Sequence, residues 1–215
     1  MKNIILTALI LMGCNQSQET KPASLTEPTV KSVEVVSHRG INAADNTLDS
    51  FYNAINLGFD SIETDLRMHN GDVVLAHDKT IDGVKYETLD NLLVWASNND
   101  VKLWLETKEH EAVRPAIEKL SRYDLDVVFF SVRNSDIDLA KQLAPSISTG
   151  LLITREEQIK NADAEWIVIY HPFLIRNYEK IKHMEIATWT IREQSDYDEL
   201  ELYSNAIISD ISINK

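Results

Sequence analysis

The chain has 215 residues, enough for one domain with a sizeable hydrophobic core. Hydrophobic residues make up 44% and charged residues 26% of the sequence, a balance typical of a globular protein. The formal net charge of −13 argues against a nucleic-acid partner, because an acidic protein and a phosphate backbone repel each other.

The first 13 residues predict an export signal. Lys2 is followed by an apolar run from Ile4 to Met12, which is too short to span a bilayer and fits the apolar region of a signal peptide. The run ends in Leu-Met-Gly-Cys, which resembles the cleavage motif of bacterial lipoproteins. That resemblance implies cleavage before Cys14 and a lipid on its sulfur, whereas the alternative is an ordinary secretory signal with an incidental cysteine. The prediction is an exported bacterial lipoprotein, anchored in a membrane at the periplasmic face or the cell surface.

The next segment predicts a flexible tether. Residues 15–32 have no periodic apolar pattern and are dominated by Ser, Thr, Pro, Gln and Glu. Cys14 is the only cysteine, so the domain cannot contain a disulfide. The predicted organisation is a signal peptide at 1–13, a lipidated cysteine and tether at 14–32, and one domain at 33–215.

Short β-rich runs alternate with helical segments in the domain. A tight His-Asn-Gly break precedes the run at 72–77, which therefore predicts the return arm of a hairpin, because a parallel crossover needs a dozen residues or more. Eight other runs predict strands, at 33–37, 61–66, 101–107, 126–132, 148–154, 166–170, 185–191 and 206–210.

Helix-start signals fall between these strands. Thr47 and Thr88 can each cap a helix, Thr154 begins a capping-box pattern with Glu157, and Ser195 precedes another helical run. Eight strands separated by helices predict a compact (β/α)₈ TIM barrel, and a flavodoxin-like open sheet is the alternative. The domain is shorter than the ~250 residues typical of the barrel, so its loops must be short.

The predicted strand ends are unusually polar, and active sites of this barrel lie at that end. Glu63 and Asp65 are two residues apart and share a face of their strand, as do Glu106 and Lys108. Converging carboxylates repel each other without a cation, and oxygen ligands favour a hard ion, Ca²⁺ or Mg²⁺. The polar residues at these ends are His38, Arg39, Glu63, Asp65, His77, Glu106 and Lys108.

The order of these motifs resembles the glycerophosphodiester phosphodiesterase family, which is related to the phosphatidylinositol-specific phospholipases C. The shared pattern is HRG, NT followed by SF, ExD, NGDVVLAHD, LETK and WT, from about Val35 to Asp210, and it is densest from Ser37 to Asp78. The resemblance implies a (β/α)₈ barrel that hydrolyses a small-molecule phosphodiester with two histidines and one divalent metal.

The resemblance also implies individual roles. Two imidazoles can exchange protons near neutral pH, while a metal and nearby cations neutralise a phosphodiester. The implied roles are acid/base catalysis by His38 and His77, metal binding by Glu63, Asp65 and Glu106, phosphate contact by Arg39 and Lys108, and a pocket wall from Trp189.

Departures from the family pattern concern the substrate rather than the metal–histidine centre. Only 28 residues separate His77 from Glu106, where family members usually carry an insertion, which predicts a reduced or missing cap. Arg192 stands where an asparagine is common. Two alternatives stay open: a related enzyme that releases a cyclic phosphate from a lipid head group, and a non-catalytic surface lipoprotein. The second predicts the loss of a histidine or a metal ligand, and none is lost.

Overall fold

The strands close into a barrel. The computed structural model describes residues 32–214, so the predicted signal peptide, Cys14 and nearly all of the tether lie outside the described residues. The strands follow one another around the sheet in the order β1-β9-β8-β7-β6-β5-β4-β2-β3, and a further β1–β2 pairing completes the ring. They are β1 (Glu34–His38), β2 (Ser61–His69), β3 (Asp72–Leu75), β4 (Lys102–Thr107), β5 (Val127–Ser131), β6 (Ser148–Ile153), β7 (Trp166–Tyr170), β8 (Glu185–Ile191) and β9 (Ala206–Ser209).

Eight of these strands are parallel to their neighbours and form the barrel, and β3 pairs antiparallel with β2 alone. The predicted (β/α)₈ barrel and the hairpin are therefore confirmed, and the open-sheet alternative is wrong. Residues 76–88, between β3 and the next helix, contain no added helix or strand in this described stretch. The reduced cap predicted from the sequence is present as a loop.

Helices connect most of the strands. Thr47 and Thr88 cap the first two as predicted, accepting hydrogen bonds from the backbone N–H of Ser50 and Asn91 at 3.3 and 3.2 Å. Within the described part of the chain, no helix is both long and apolar enough to cross a bilayer. The helices are α1 (Leu48–Asn56), α2 (Leu89–Asn99), α3 (His110–Leu120), α4 (Asn134–Leu143), α5 (His171–Ile181) and α6 (Gln194–Leu200).

Two predicted helix starts are wrong in detail. The β6–β7 connection holds a short 3₁₀ helix, Glu156–Asn161, rather than an α-helix capped by a Thr154–Glu157 box. There the side chain of Gln158 accepts from the backbone N–H of Thr154 and of Arg155 at 2.9 and 2.8 Å, so the glutamine closes the turn. Helix α6 begins one residue before Ser195.

The core has two layers because strand side chains alternate between the two faces of the barrel wall. The outer layer packs between the wall and the helices, and Phe51, Ile62 and Leu92 in it are fully buried. Burying each such side chain contributes roughly 1.5–3 kcal/mol. The inner layer fills the barrel and consists of Val36, Trp104, Val128, Phe130, Leu152, Val168, Ala187, Ala206 and Ile208.

A polar network closes the N-terminal end of the barrel. Glu34 accepts from Lys102 Nζ at 2.8 Å, from Trp104 Nε1 at 2.9 Å and from Ser61 Oγ at 2.6 Å. These groups satisfy one another below the inner apolar layer. The polar side chains at the C-terminal strand ends lie at the opposite end of the barrel, where it is open.

Candidate active site

Three carboxylates meet at the C-terminal ends of β2 and β4. The parallel register places Asp65 directly beside Glu106, and Glu63 lies two residues earlier on the same face of β2. One oxygen atom from each of the three lies within 4.8 Å of the other two, and all three side chains are buried. The structure therefore brings the three predicted metal ligands together.

The carboxylates disfavour one another's charge. Burial raises the pKa of the Glu63 carboxyl well above its usual range, and Asp65 and Glu106 raise it further. Burial also raises the pKa of Glu106, although Lys108 opposes the shift. Burial acts in the same direction on Asp65, but Lys108 and Arg39 outweigh it and hold the pKa of Asp65 below its usual value. The cluster is thus short of positive charge.

The two neighbouring cations offset only part of that charge. Lys108 Nζ lies 2.6 Å from Glu106 Oε1 and 3.0 Å from Asp65 Oδ1, and Arg39 Nε lies 2.9 Å from Asp65 Oδ2. Asp65 Oδ1 is buried and has no well-aligned hydrogen bond. Three carboxylates against two cations, with oxygen atoms as the donors, fit a hard divalent cation such as Ca²⁺ or Mg²⁺.

The HRG turn explains why β1 stops where it does. Arg39 and Gly40 both have positive φ, 58° and 85°, and a Cβ on Gly40 would lie 2.1 Å from Ser50 Oγ. The Arg39 carbonyl accepts from Asn46 N at 2.9 Å and from Ser50 Oγ at 3.1 Å. The turn therefore needs glycine, and it directs the Arg39 side chain toward Asp65.

Asn46 has a structural role that its motif did not disclose. Its Nδ2 donates to Asp65 Oδ2 at 3.2 Å, and its Oδ1 accepts from Thr64 Oγ1 at 2.6 Å and from Asp65 N at 3.3 Å. The side chain is buried, so these bonds hold one carboxylate of the cluster in place. One feature of the sequence could have indicated this role: asparagine tolerates a positive φ better than most residues, and φ is 58° here.

Both predicted catalytic histidines reach the same mouth. His38 Nε2 lies 4.0 Å from Glu63 Oε2, while its Nδ1 lies 2.6 Å from Asp210 Oδ1. His77 follows the hairpin, and its Nδ1 lies 2.9 Å from Asp78 Oδ1. Each imidazole therefore has a carboxylate on Nδ1, which leaves Nε2 to exchange a proton.

Asp210 was not assigned a role from the sequence. It follows β9, and its second oxygen, Oδ2, accepts from Arg192 Nε at 2.8 Å. Burial raises the pKa of Asp210, but His38 and Arg192 outweigh burial and hold it below the usual value. Arg192, the departure from the family pattern, thus supports the carboxylate behind His38. Its side chain is largely exposed.

A cavity of about 340 Å³ lies between the two histidines, the two cations and the carboxylates Glu63 and Glu106. Two catalytic candidates, His38 and His77, and two cations, Arg39 and Lys108, line it on the side of β1, β2 and β4. The wall on the side of β5 to β9 is mostly apolar and consists of Phe130, Val132, Leu152, Val168, Trp189 and Ile208, with Thr154 beside them. The predicted pocket wall thus includes Trp189, whose Nε1 donates to the Val168 carbonyl at 3.3 Å.

Comparison with known proteins agrees with this geometry. Residues 38–85 match the sequence model of the Glycerophosphoryl diester phosphodiesterase family. Over this segment the chain is similar to the glycerophosphodiester phosphodiesterases. The matched segment of the chain contains His38, the Glu63–Asp65 pair and His77. The family resemblance predicted from the sequence is therefore confirmed. A comparison with curated proteins returned no match.

Solved structures share the fold. A glycerophosphodiester phosphodiesterase from Parabacteroides distasonis is 18% identical with a TM-score of 0.74, covering 85% of this chain and 94% of its own. A phosphodiesterase from Oleispira antarctica, solved in complex with the product sn-glycerol-3-phosphate, is 23% identical with a TM-score of 0.74, over 84% and 94%. A glycerophosphodiester phosphodiesterase from Thermotoga maritima is 23% identical with a TM-score of 0.67, over 83% and 94%. At these identities the likeness establishes the barrel fold.

Proposed function

We propose that this protein is a metal-dependent phosphodiester hydrolase that cleaves glycerophosphodiesters to an alcohol and glycerol 3-phosphate. The observation that carries the proposal is a cavity that two histidines, two cations and two carboxylates, Glu63 and Glu106, line together. The buried Asp65 carboxylate completes the cluster beside it. The family match over residues 38–85 and the product named for the Oleispira antarctica structure support this substrate class. A purely structural cluster of this kind would not need two histidines aimed at the same opening.

Binding of the anionic phosphodiester falls to the cationic side of the cavity. Arg39 and Lys108 present their charged groups beside the carboxylate cluster, where they can donate to non-bridging phosphate oxygens. A divalent cation held by Glu63, Asp65 and Glu106 would supply further neutralisation of the phosphate charge. The organic group of the substrate then faces the apolar wall that includes Trp189.

Proton transfer falls to the two histidines. We assign the base role to His38, because Asp210 holds its Nδ1 and stabilises the imidazolium that forms when Nε2 takes a proton. The acid role goes to His77, which protonates the leaving alcohol. The nucleophile is a water molecule or the hydroxyl next to the phosphate in a glycerol substrate. In the second case a cyclic phosphate forms first and is then opened by water.

The location of the enzyme is part of the proposal. The apolar run that ends at Cys14 supports export as a lipoprotein, with residues 15–32 as a tether to the barrel. This arrangement would keep the catalytic domain near the lipids whose head groups yield glycerophosphodiesters.

A turnover screen tests the proposed function. Glycerophosphodiesters with different alcohol groups are incubated with the protein and Ca²⁺, Mg²⁺ or excess chelator, and products are followed by phosphorus NMR. We expect glycerol 3-phosphate to be released when Ca²⁺ or Mg²⁺ is present and not in excess chelator. A cyclic phosphate as the final product would instead favour the related lyase-type reaction. No turnover of any diester with either metal would favour a binding protein.

A further inference from the structure

Arg67 connects the metal-binding strand to the segment that carries His77. It follows Asp65 by two residues in β2, so its side chain lies on the same face of the strand. Its guanidinium is mostly buried, and both Nε and Nη2 donate to the backbone carbonyl of His77, at 3.0 and 2.8 Å. Arg67 thus holds the backbone at His77 itself.

The guanidinium is held in turn by Glu109. Arg67 Nη1 donates to Glu109 Oε1 at 2.7 Å, and Glu109 Oε2 accepts from the backbone N–H of Met68 at 3.1 Å. The backbone carbonyl of Glu109 accepts from Thr107 Oγ1 at 2.8 Å, directly beside Glu106 and Lys108. The Arg67–Glu109 pair therefore ties the His77 segment to the β4–α3 connection.

The His77 side chain has little else to fix it. It is 44% exposed, and its Nδ1 bonds to Asp78, whose side chain is 95% exposed. A contact between two such exposed polar side chains contributes little to stability. The backbone on either side is better anchored, because Ala76 N donates to the Asp65 carbonyl at 3.0 Å and the His77 carbonyl is held by Arg67.

We infer that Arg67 is a positioning residue that holds His77 at the distance from the cavity required of a proton donor. The inference rests on the proposed function and adds a residue to it. A displacement of about 1 Å in a reacting group can cost on the order of 10²-fold in rate. Since only the leaving-group proton depends on His77, the loss should depend on how much protonation the leaving alcohol needs.

The test compares two substrates in Arg67→Met and Arg67→Lys. Methionine keeps the apolar stem and removes every donor, whereas lysine restores a positive charge and one donating group without the planar geometry of the guanidinium. With a glycerophosphodiester, kcat of Arg67→Met is expected to fall about 10–100-fold with KM within about twofold, and Arg67→Lys should recover part of the loss. With bis(4-nitrophenyl) phosphate, whose leaving group needs no proton, both variants should lie within about threefold of the unchanged protein. The Arg67→Met, His77→Ala double variant should be no slower than His77→Ala.

The matched control is Arg176→Met, which removes an arginine that also donates twice to one partner, Glu156, at 2.9 and 2.8 Å, away from His77. It should leave both rates unchanged. Equal losses on both substrates in Arg67→Met, or losses that add to those of His77→Ala, would overturn the positioning role, as would no loss at all.

Hydrogen exchange supplies a readout that does not depend on turnover. Amides of residues 76–80 should exchange faster in Arg67→Met than in the unchanged protein, and Arg176→Met should not alter them. Unchanged exchange in this segment would overturn the inference even if the rates fall. If the protein without substitutions is inactive on every diester, the proposed function is wrong. The catalytic part of the inference then fails with it, whatever the exchange data show.

Discussion

His38 Nδ1 lies 2.6 Å from Asp210 Oδ1, although the two residues are 172 positions apart in the sequence. The contact exists because the barrel closes: β1 pairs in parallel with β9, and Ser37 is the register partner of Ser209. His38 at the end of β1 and Asp210 just after β9 therefore lie side by side at the C-terminal end of the barrel. The first and last strands of the domain thus bring His38 and Asp210 together, and the other ring nitrogen of His38, Nε2, lies 4.0 Å from Glu63 Oε2.

Asp210→Asn is expected to reduce kcat on a glycerophosphodiester by about 10²-fold or more. The amide cannot stabilise an imidazolium, and its NH₂ group can bind the tautomer that carries the wrong proton. Steady-state kinetics with saturating metal measures the effect, and thermal unfolding verifies that the variant folds. The control is Asp198→Asn in α6, an exposed carboxylate that accepts from Gln194. A variant that retains more than half of the original kcat would contradict the role given to Asp210.

Glu63→Gln is expected to stabilise the metal-free protein at pH 8. The folded-state pKa of Glu63 is raised, first by burial and then by Asp65 and Glu106. Its contribution to stability is therefore complete below the unfolded-state pKa and is lost as the pH rises through the folded-state pKa. The glutamine variant should unfold at a higher temperature than the original at pH 8, and the gap should close by pH 4.

Thermal unfolding in chelator at the two pH values measures this effect. A gain of about 1 kcal/mol corresponds to roughly 2–4 °C in a domain of this size. Glu118→Gln is the control, because Glu118 is exposed and pairs only loosely with Arg114 at 3.9 Å. If the original protein is more stable than Glu63→Gln at pH 8 without metal, Arg39 and Lys108 alone neutralise the carboxylate cluster.

Divalent metal is expected to stabilise the protein and to be required for turnover. A metal at about 100 times its Kd adds ~2.7 kcal/mol, which corresponds to an increase of roughly 5–10 °C in Tm. Glu106→Gln should lose most of this increase, because it removes one ligand of the trio, and Glu118→Gln should keep it. Calorimetry with Ca²⁺, Mg²⁺ and chelator measures the shift. Full turnover in excess chelator would exclude a metal role in the reaction.

Cys14→Ser is expected to release the protein from the membrane fraction without changing its specific activity. The serine hydroxyl cannot take the place of the proposed lipid-bearing sulfur, and 18 residues, 15–32, separate Cys14 from the domain in sequence. Fractionation of cells that express either form, followed by a rate assay on each fraction, checks both halves of the prediction. A serine variant that stays with the membranes would place the anchor elsewhere.

Local patterns made much of the site predictable. The co-facial placement of Glu63 and Asp65 follows from the two-residue period of a strand, and the short break after His69 required the hairpin that returns His77. The barrel followed from counting strands and helices. Each of these inferences needs no knowledge of which strands are neighbours in space.

The missed residues depend on contacts between distant segments. Asp210 reaches His38 only because the barrel closes, and Asn46 reaches Asp65 only because the HRG turn folds back on α1. Arg67 lies past the last predicted residue of its strand, so nothing in its sequence position indicated a bond to His77. The 3₁₀ helix after β6 has Arg155 as its N-cap, one residue later than the predicted Thr154, and Gln158 rather than Glu157 accepts from the cap backbone N–H.

The most direct test of the central claim is the turnover of His38→Ala and His77→Ala on a glycerophosphodiester with saturating metal. Each variant is predicted to lose about 10²–10⁴-fold in kcat, the range for losing a general acid or base, while both fold normally because neither side chain lies in the core. Less than additive loss in the double variant is expected, since the two groups serve one proton-transfer cycle. Near-original turnover by either single variant would contradict the two-histidine account.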